Sequence, residues 1–474
     1  MGRFRIRLFA IIFLFCIIVG SQAQTKRSED FHDRYRLSKV VVLSRHNIRA
    51  PMSGPESVLA RITPYEWHHW TSAPRELSLR GGVLETMMGQ YFRKWLVSEG
   101  LMDENEMPAA GQMRFYANSM QRTIATAQYF SSGMLPVANA SIEHHYPLNT
   151  MDPVFTPKIT RDDEAFFSQV TQQILDLFGN GSIENIGLHV ADNLRLMEEV
   201  LSLSESKACV EGDTCEFRTD NLQLQLVYDA EPRLKGGLSL ACTAADALVL
   251  QYYEEPDDQK AAFGHTLTQD DWARISEVKD WYCDVLFTAP LMAVNVAHPL
   301  LQEMLAELRA DGRTFSFLCG HDSNIASVLA ALQCTNYLLP DAIEGKTPIG
   351  VKLVVEQWTG SDGEDYAALN LVYQTVEQLR QLPLLSLDNP PACFSVQLDG
   401  LVPNADGLYL LADVEQRFAE SIAAYDEAAP TPTTVQQVYP SVSLPTYDLL
   451  GRRIVGEDEL KPGLYISGQQ KVAR

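Results

Sequence analysis

Along the chain, short β-branched or aromatic runs are each followed by a polar turn and then by a stretch with helical spacing of apolar residues. Val40-Val41-Val42-Leu43 is the first such run, and Ser44-Arg45-His46-Asn47-Ile48-Arg49-Ala50-Pro51 follows it directly. From Leu77 to Leu96 the residues Val83, Leu84, Met87, Met88, Tyr91, Phe92, Trp95 and Leu96 recur at helical intervals and predict a core-packed helix. Met113 to Ala117 reads as a second strand, Asn118 to Thr123 as its polar turn, and a helix continues through Phe130. The pattern returns with a strand over Thr314 to Cys319, the turn Gly320-His321-Asp322-Ser323-Asn324, and a small-residue helix from Ile325 to Leu332. Alternation of this kind predicts an α/β fold: a mostly parallel central sheet flanked by helices. Residues 151–288 break the pattern with acidic helical stretches, such as Ala165 to Phe178 and Ala241 to Tyr253, and are expected to form an inserted, mainly helical cap. The core is then 24–150 plus 289–427, with a Pro- and Thr-rich linker at 428–446 and a tail at 447–474 too short to bury a core alone.

The N-terminus reads as an address. Arg3, Arg5 and Arg7 precede an apolar run from Leu8 to Val19, and Ser21-Gln22-Ala23 offers small residues for cleavage, so 1–23 is expected to be an export signal. The run falls short of the roughly 20 apolar residues of a membrane span. Of eight cysteines, Cys16 lies in this segment. Cys209 and Cys215 flank the polar loop Val-Glu-Gly-Asp-Thr and are the natural disulfide in an oxidising compartment. Cys242, Cys283, Cys319, Cys334 and Cys393 have apolar neighbours and are expected to be buried small hydrophobes. No Cys-x-x-Cys or His-Glu-x-x-His motif occurs, and the adjacent pairs His68-His69 and His144-His145 lack accompanying ligands, so no metal site and no cofactor is expected.

The 474 residues carry a formal net charge of −23, which repels phosphate backbones and acidic lipid and excludes nucleic acid as a natural partner. Any phosphate chemistry must therefore be local. Three segments put a polar or cationic group just after a predicted strand: Arg45-His46-Asn47-Ile48-Arg49, Gln121-Arg122 and His321-Asp322. In an α/β sheet such ends open on one edge, so residues about 280 positions apart can meet in one crevice. Three guanidiniums and two imidazoles there suit a small dianion, because arginine donates bidentately to phosphoryl oxygens and stays charged. A neutral His46 could attack phosphorus once the arginines have drawn charge from its oxygens, with its other ring nitrogen bound to a backbone carbonyl. Asp322 could protonate the departing oxygen, which implies an acidic optimum.

These segments resemble the histidine acid phosphatases (branch 2). Arg45-His46-Asn47-Ile48-Arg49-Ala50-Pro51 is similar to their Arg-His-Gly-x-Arg-x-Pro signature, with Asn47 where most members have glycine; Gln121-Arg122-Thr123 and Gly320-His321-Asp322 resemble two further elements. The segments Gly81-Gly82-Val83-Leu84-Glu85, Tyr116-Ala117-Asn118-Ser119, Thr150-Met151-Asp152-Pro153 and Gln251-Tyr252-Tyr253-Glu254 are most like the periplasmic glucose-1-phosphatases of that family. The resemblance implies a fold like that of phosphoglycerate mutases and acid phosphatases, His46 as a nucleophile forming a phosphohistidine, Arg45, Arg49, Arg122 and His321 as phosphate ligands, and Asp322 as proton donor. It also implies a sugar contact for Glu231, in Tyr228-Asp229-Ala230-Glu231-Pro232, and a Cys209 to Cys215 disulfide. The tail from Tyr447 to Gly468 resembles β-rich sorting tails of some Gram-negative secreted proteins, which implies a contact with envelope sorting machinery.

The resulting expectation is a protein exported to the periplasm or cell envelope of a Gram-negative bacterium, or secreted, that hydrolyses sugar monophosphates, glucose 1-phosphate foremost. A phytase acting on inositol polyphosphates is the near alternative, but it needs more Lys and Arg than this acidic insertion supplies. A catalytically silent sugar-phosphate binder is the alternative from another class; it has no use for Asp322.

Overall fold

The computed structural model describes residues 27–52, 57–105 and 107–427, together with four short strands beyond residue 445. The expected export signal at 1–23, and the expected linker apart from its last residue, lie outside the described residues.

The central sheet is built from β1 (Tyr35–Arg45), β2 (Met113–Ala117), β5 (Phe315–Gly320), β6 (Lys352–Gly360), β7 (Asp365–Tyr373), β8 (Ala392–Ser395) and β9 (Tyr409–Leu410); β3 (Gln223–Gln225) and β4 (Arg233–Lys235) form a separate hairpin. The order is β2-β5-β1-β6-β7-β8, with β9 also on β7. The α/β class is as expected, but the sheet is mixed, not mostly parallel. Only the β2/β5 and β5/β1 pairs are parallel, whereas β1/β6, β6/β7, β7/β8 and β7/β9 are antiparallel. The reason is local: β6 and β7 are joined by the tight turn Ser361-Asp362-Gly363-Glu364, with Gly363 at φ +89°, and a hairpin connection forces antiparallel pairing.

Both faces of the sheet are buried, which is why β1 reads as a continuous apolar run rather than an alternating one. Val40 and Val42 point into one core with Phe92, Phe115, Phe130, Phe315 and Phe317. Val41 and Leu43 point into the other, with Leu318, Leu353 and Leu369 and residues of three helices, Pro290–Arg309, Asp322–Ala331 and Leu411–Glu427.

Residues 164–287 contribute the helices Glu164–Gly179, Ile183–Leu188, Ala191–Val200, Gly237–Glu254 and Gln269–Phe287 and the β3/β4 hairpin. Cys209 and Cys215 are disulfide-bonded in one of their loops. Tyr252 stacks on Trp272, with ring centroids 4.2 Å apart, and so ties two of these helices together. Arg380 lies 4.0 Å over the Tyr252 ring and donates to the carbonyls of Tyr252, Glu255 and Pro256, which fixes the end of the Gly237–Glu254 helix. Among the described residues no single helix is long and apolar enough to cross a membrane. Residues 430–474 form a separate unit with four short strands, Thr446–Tyr447, Arg453–Ile454, Leu464–Ser467 and Gln470–Ala473, paired antiparallel.

The helices Leu79–Ser98 and Gln121–Met134 approach so closely that a Cβ on Gly89 would lie 2.1 Å from the Phe130 carbonyl oxygen, and one on Gly133 2.1 Å from that of Thr86. This contact sets the position of Arg122. Gly→Ala inside an exposed helix gains about 1 kcal/mol, but overpacking a close contact costs about 1–3 kcal/mol. Gly89→Ala is therefore expected to lower the urea midpoint of unfolding; a raised midpoint would refute the close packing of these helices.

Candidate active site

Parallel pairing aligns the three strand ends. Arg45 is in register with Gly320, and Ala117 with Cys319, so the residues that follow β1, β2 and β5 emerge along one edge. The loop after β1 is pinned from both sides: the Arg45 amide donates to the Val351 carbonyl, His46 to Gly320, and Gly350 to His46. The structure brings together Arg45, His46, Arg49, Arg122, His321 and Asp322. The His46 and His321 rings lie 5.5 Å apart, the Arg122 Nη2 is 3.4 Å from His321 Nδ1, and the Arg45 Nη2 is 3.4 Å from the Asp322 carboxylate.

His46 Nδ1 lies 2.9 Å from the Asn47 carbonyl oxygen. A carbonyl only accepts, so Nδ1 carries the proton and Nε2 keeps its lone pair. Asn47 is held in turn: its amide donates to Glu85 at 2.7 Å, its Oδ1 accepts from the Ile48 N–H, and its N–H donates to the Thr126 hydroxyl. Glu85 and Lys352 form a fully buried ion pair at 3.1 Å, and Lys352 also donates to the Gly350 carbonyl. Gly81 completes the fit, since a Cβ there would meet the Ile48 carbonyl oxygen at 2.4 Å.

Cations and carboxylates alternate through the pocket. Arg45 pairs with buried Glu344 at 2.6 Å; Lys279 lies 3.0 Å from Glu344 and 3.6 Å from Asp322. The Arg49 Nη2 donates to both carboxylate oxygens of Asp246, at 3.1 and 3.2 Å, and Asp246 comes from the Gly237–Glu254 helix. The Nε–H groups of Arg45, Arg49 and Arg122 are buried with no partner among the described residues, an arrangement that suits an anion.

These charges set the protonation states. Burial, reinforced by Arg122 and Arg49, holds His46 well below the ordinary imidazole value, and burial with Arg122 does the same to His321. Burial alone would raise Asp322, but the charges of Arg45 and Lys279 win and hold it well below the usual carboxylate range. The same two cations overcome burial at Glu344 and leave it at about 2. Asp280, buried beside Lys279, goes the other way and is pushed by burial up to about 6. The resting Asp322 is therefore ionised, contrary to the expectation of a standing acid. To protonate a leaving group it must first be raised, and a phosphoryl dianion seated among the arginines offsets the field that holds it down.

Glu231 lies in the loop ahead of β4; the residue reaches solvent, yet partial burial of its carboxyl raises it above the ordinary carboxylate value against the nearby charges of Arg233 and Arg122. The two histidine pairs sit elsewhere: His145 bonds to Glu143 and Tyr116, and His68 lies 3.6 Å from Glu255. Sequence reasoning did not single out Lys279, Glu344, Asp246, Glu85, Lys352 or Asn118 as site residues. Asn118 follows β2 as His46 follows β1, so the strand-end signal pointed to it; the others lie in helices, strands and loops where their charges read as ordinary surface.

Comparison with known proteins agrees with this geometry. The model of the histidine phosphatase superfamily (branch 2) matches residues 36–374. A glucose-1-phosphatase of Salmonella typhimurium is 36% identical over 84% of this chain and 95% of its own, and one of Providencia rettgeri is 33% identical over 86% and 96%. Among solved structures, the phytase of Citrobacter braakii superposes with a TM-score of 0.74 at 27% identity, covering 82% of this chain and 98% of that one. A family match over most of the chain, together with the Arg45-His46 and His321-Asp322 segments at one sheet edge, means that the chain belongs to the histidine phosphatase superfamily (branch 2).

Proposed function

We propose that the protein is an exported acid phosphatase that hydrolyses sugar monophosphates, glucose 1-phosphate foremost, through a phosphohistidine on His46. The observation that carries this reading is the set of three buried guanidiniums, each with an unpaired Nε–H, around a buried neutral imidazole. Arg45, Arg49 and Arg122 spread the phosphoryl charge, and His321 adds a further donor. The Nε2 lone pair of His46 forms the P–N bond as the P–O ester bond breaks, and Asp322, which takes up a proton from solvent once the phosphoryl group is seated, passes it to the departing sugar oxygen. Water then attacks phosphorus, gives its proton to Asp322, and the P–N bond breaks to restore His46. Glu231, within the field of Arg122, is the carboxylate proposed to accept hydrogen bonds from sugar hydroxyls.

Arg45, Arg49, Arg122 and Lys279 face Asp246, Asp322 and Glu344, with Asp280 beside Lys279, so the cations are largely matched and the pocket has no basic surplus for several phosphoryl groups. A phytase reading draws on the likeness to the Citrobacter braakii enzyme. It calls for several further basic side chains, whereas the cap contributes one, Lys279, against Asp246 and Glu231. Export fits the Cys209–Cys215 bond, since disulfides persist in oxidising compartments such as the periplasm, and the 447–474 tail is the segment to engage envelope sorting machinery.

Initial rates separate the substrate readings: kcat/KM for glucose 1-phosphate is expected to exceed that for inositol hexakisphosphate at least about tenfold, and the reverse order would establish the phytase reading. Because His46 stays neutral well below the ordinary imidazole range near 6.5, kcat/KM should not fall on moving from neutral to mildly acidic buffer; a loss there would mean that the nucleophile is being protonated. Asp322→Asn should slow glucose 1-phosphate about 10²- to 10⁴-fold and p-nitrophenyl phosphate far less, since a phenolate departs without a proton. Equal losses on both substrates would remove Asp322 from the proton-donor role.

A further inference from the structure

The polar groups behind His321 carry the observations furthest. Asn118, fully buried after β2, faces three groups of known hydrogen-bonding sense. Its Oδ1 accepts from the Asp152 backbone N–H at 2.9 Å, and its Nδ2 lies 3.1 Å from the Met151 sulfur and 2.8 Å from His321 Nε2. A backbone N–H can only donate and a thioether can only accept, so both contacts fix the same amide orientation; the flipped amide would set N–H against N–H. The amide N–H therefore points at His321 Nε2, which must accept. The ring proton then sits on Nδ1, and Nδ1–H and the Arg122 Nη2, 3.4 Å apart, are two donors that cannot satisfy one another but suit the same oxygen anion.

We infer that Asn118 is a positioning residue that locks His321 as its Nδ1–H tautomer, with the lone pair turned into the protein and the N–H presented beside Arg122. The two imidazoles are thereby the same tautomer used in opposite senses: His46 spends its N–H on the Asn47 carbonyl and presents a lone pair, whereas His321 spends its lone pair on Asn118 and presents an N–H. The support is braced from several directions. Asp152 is buried and accepts from the Tyr116 hydroxyl at 2.8 Å and from the Val154 N–H at 3.0 Å. Asn324 bridges the His321 N–H and the Phe155 carbonyl, both at 2.9 Å, so the segment that orients Asn118 also holds the His321 backbone. The inference rests on the phosphatase reading only in naming phosphate as the anion that His321 meets.

The groups that face His321 are Arg122 and His46 on the pocket side, Asp322 next in the chain, Arg45 and Arg49 through their fields, and neutral Asn118 behind. The tautomer is read directly on the intact, ¹⁵N-histidine-labelled protein by two-bond proton–nitrogen correlation, with His321 assigned through the His321→Gln variant. A protonated Nδ1 and a bare Nε2 are expected; a protonated Nε2 would overturn the proposal. Asn118→Asp supplies the second readout, because a carboxylate demands an N–H at Nε2. At neutral pH its kcat/KM for p-nitrophenyl phosphate should fall about 10- to 100-fold, the worth of one charge-assisted hydrogen bond, and recover on acidification as the imidazolium regains an N–H at Nδ1. Asn118→Ala should show a loss with no such recovery. Loss in Asn118→Asp that is uniform across pH would reduce Asn118 to a structural part and refute the proposal. Should Asn118→Asp fail to fold, the wild-type spectrum still decides. Wild-type protein with the expected tautomer but no phosphate release would sink the phosphatase reading and leave this one standing.

Discussion

Parallel pairing of β1 with β5 is the constraint on which the pocket depends. It sets Arg45 against Gly320, and the next residue on each strand, His46 and His321, leaves the sheet at the same level. A slip of one residue would turn Val41 and Leu43 into the opposite core and move the arginine off the edge, so the register is enforced by burial on both faces. The catalytic geometry thus draws its precision from apolar packing some way from the chemistry. The helix that carries Arg122 is set by the same logic, through the contact of two glycine-bearing helices.

Collecting four cations beside a single buried imidazole is costly unless they are answered, because a buried unpaired charge destabilises strongly. The protein answers three of them: Arg45 and Lys279 with Glu344, Arg49 with Asp246, and Asp322 shared between Arg45 and Lys279. Arg122 has no carboxylate at ion-pair distance among the described residues, and burial, reinforced by Arg49, pulls it down to about 9. Two of these groups, Lys279 and Asp246, come from helices within the 164–287 segment, so that segment completes the electrostatics of the pocket. In the proposed mechanism the same arrangement couples binding to proton transfer. Without an anion, Asp322 is held ionised by its cations; a dianion among the arginines would weaken that hold and let it act as the proposed acid.

What could be read from the chain alone followed signals local in sequence. Val40 to Leu43, Met113 to Ala117 and Thr314 to Cys319 announce strands because β-branched and aromatic residues cluster there, and the strand ends carry the arginines and histidines in plain view. The antiparallel half was also signalled, by Asp362-Gly363 between two apolar runs, and it turns a mostly parallel expectation into a mixed sheet. Lys279 and Glu344 were not legible. In Glu277-Val278-Lys279-Asp280 the charges read as a solvated helix face, and only tertiary packing shows Lys279 buried 3.0 Å from a glutamate 65 positions later. The protonation state of Asp322 was likewise out of reach, since it depends on how closely Arg45 and that unseen lysine approach it.

Asn47 shows how one departure from a family pattern is absorbed. A glycine at this position would leave Glu85 and Lys352 as an isolated buried pair and the loop after β1 tied only through its backbone. With asparagine, the side chain donates to Glu85 and accepts from Ile48, so the peptide whose carbonyl holds His46 Nδ1–H is anchored at both ends. The fit is reciprocal: Gly350, at φ +69°, has no room for a Cβ because Asn47 Nδ2 would lie 2.6 Å away. Exchanging Asn47 for glycine therefore removes more than an amide. It takes one hydrogen bond from a fully buried carboxylate and frees the carbonyl that decides which nitrogen of the nucleophile is bare, so the penalty falls on stability and on the orientation of His46 together.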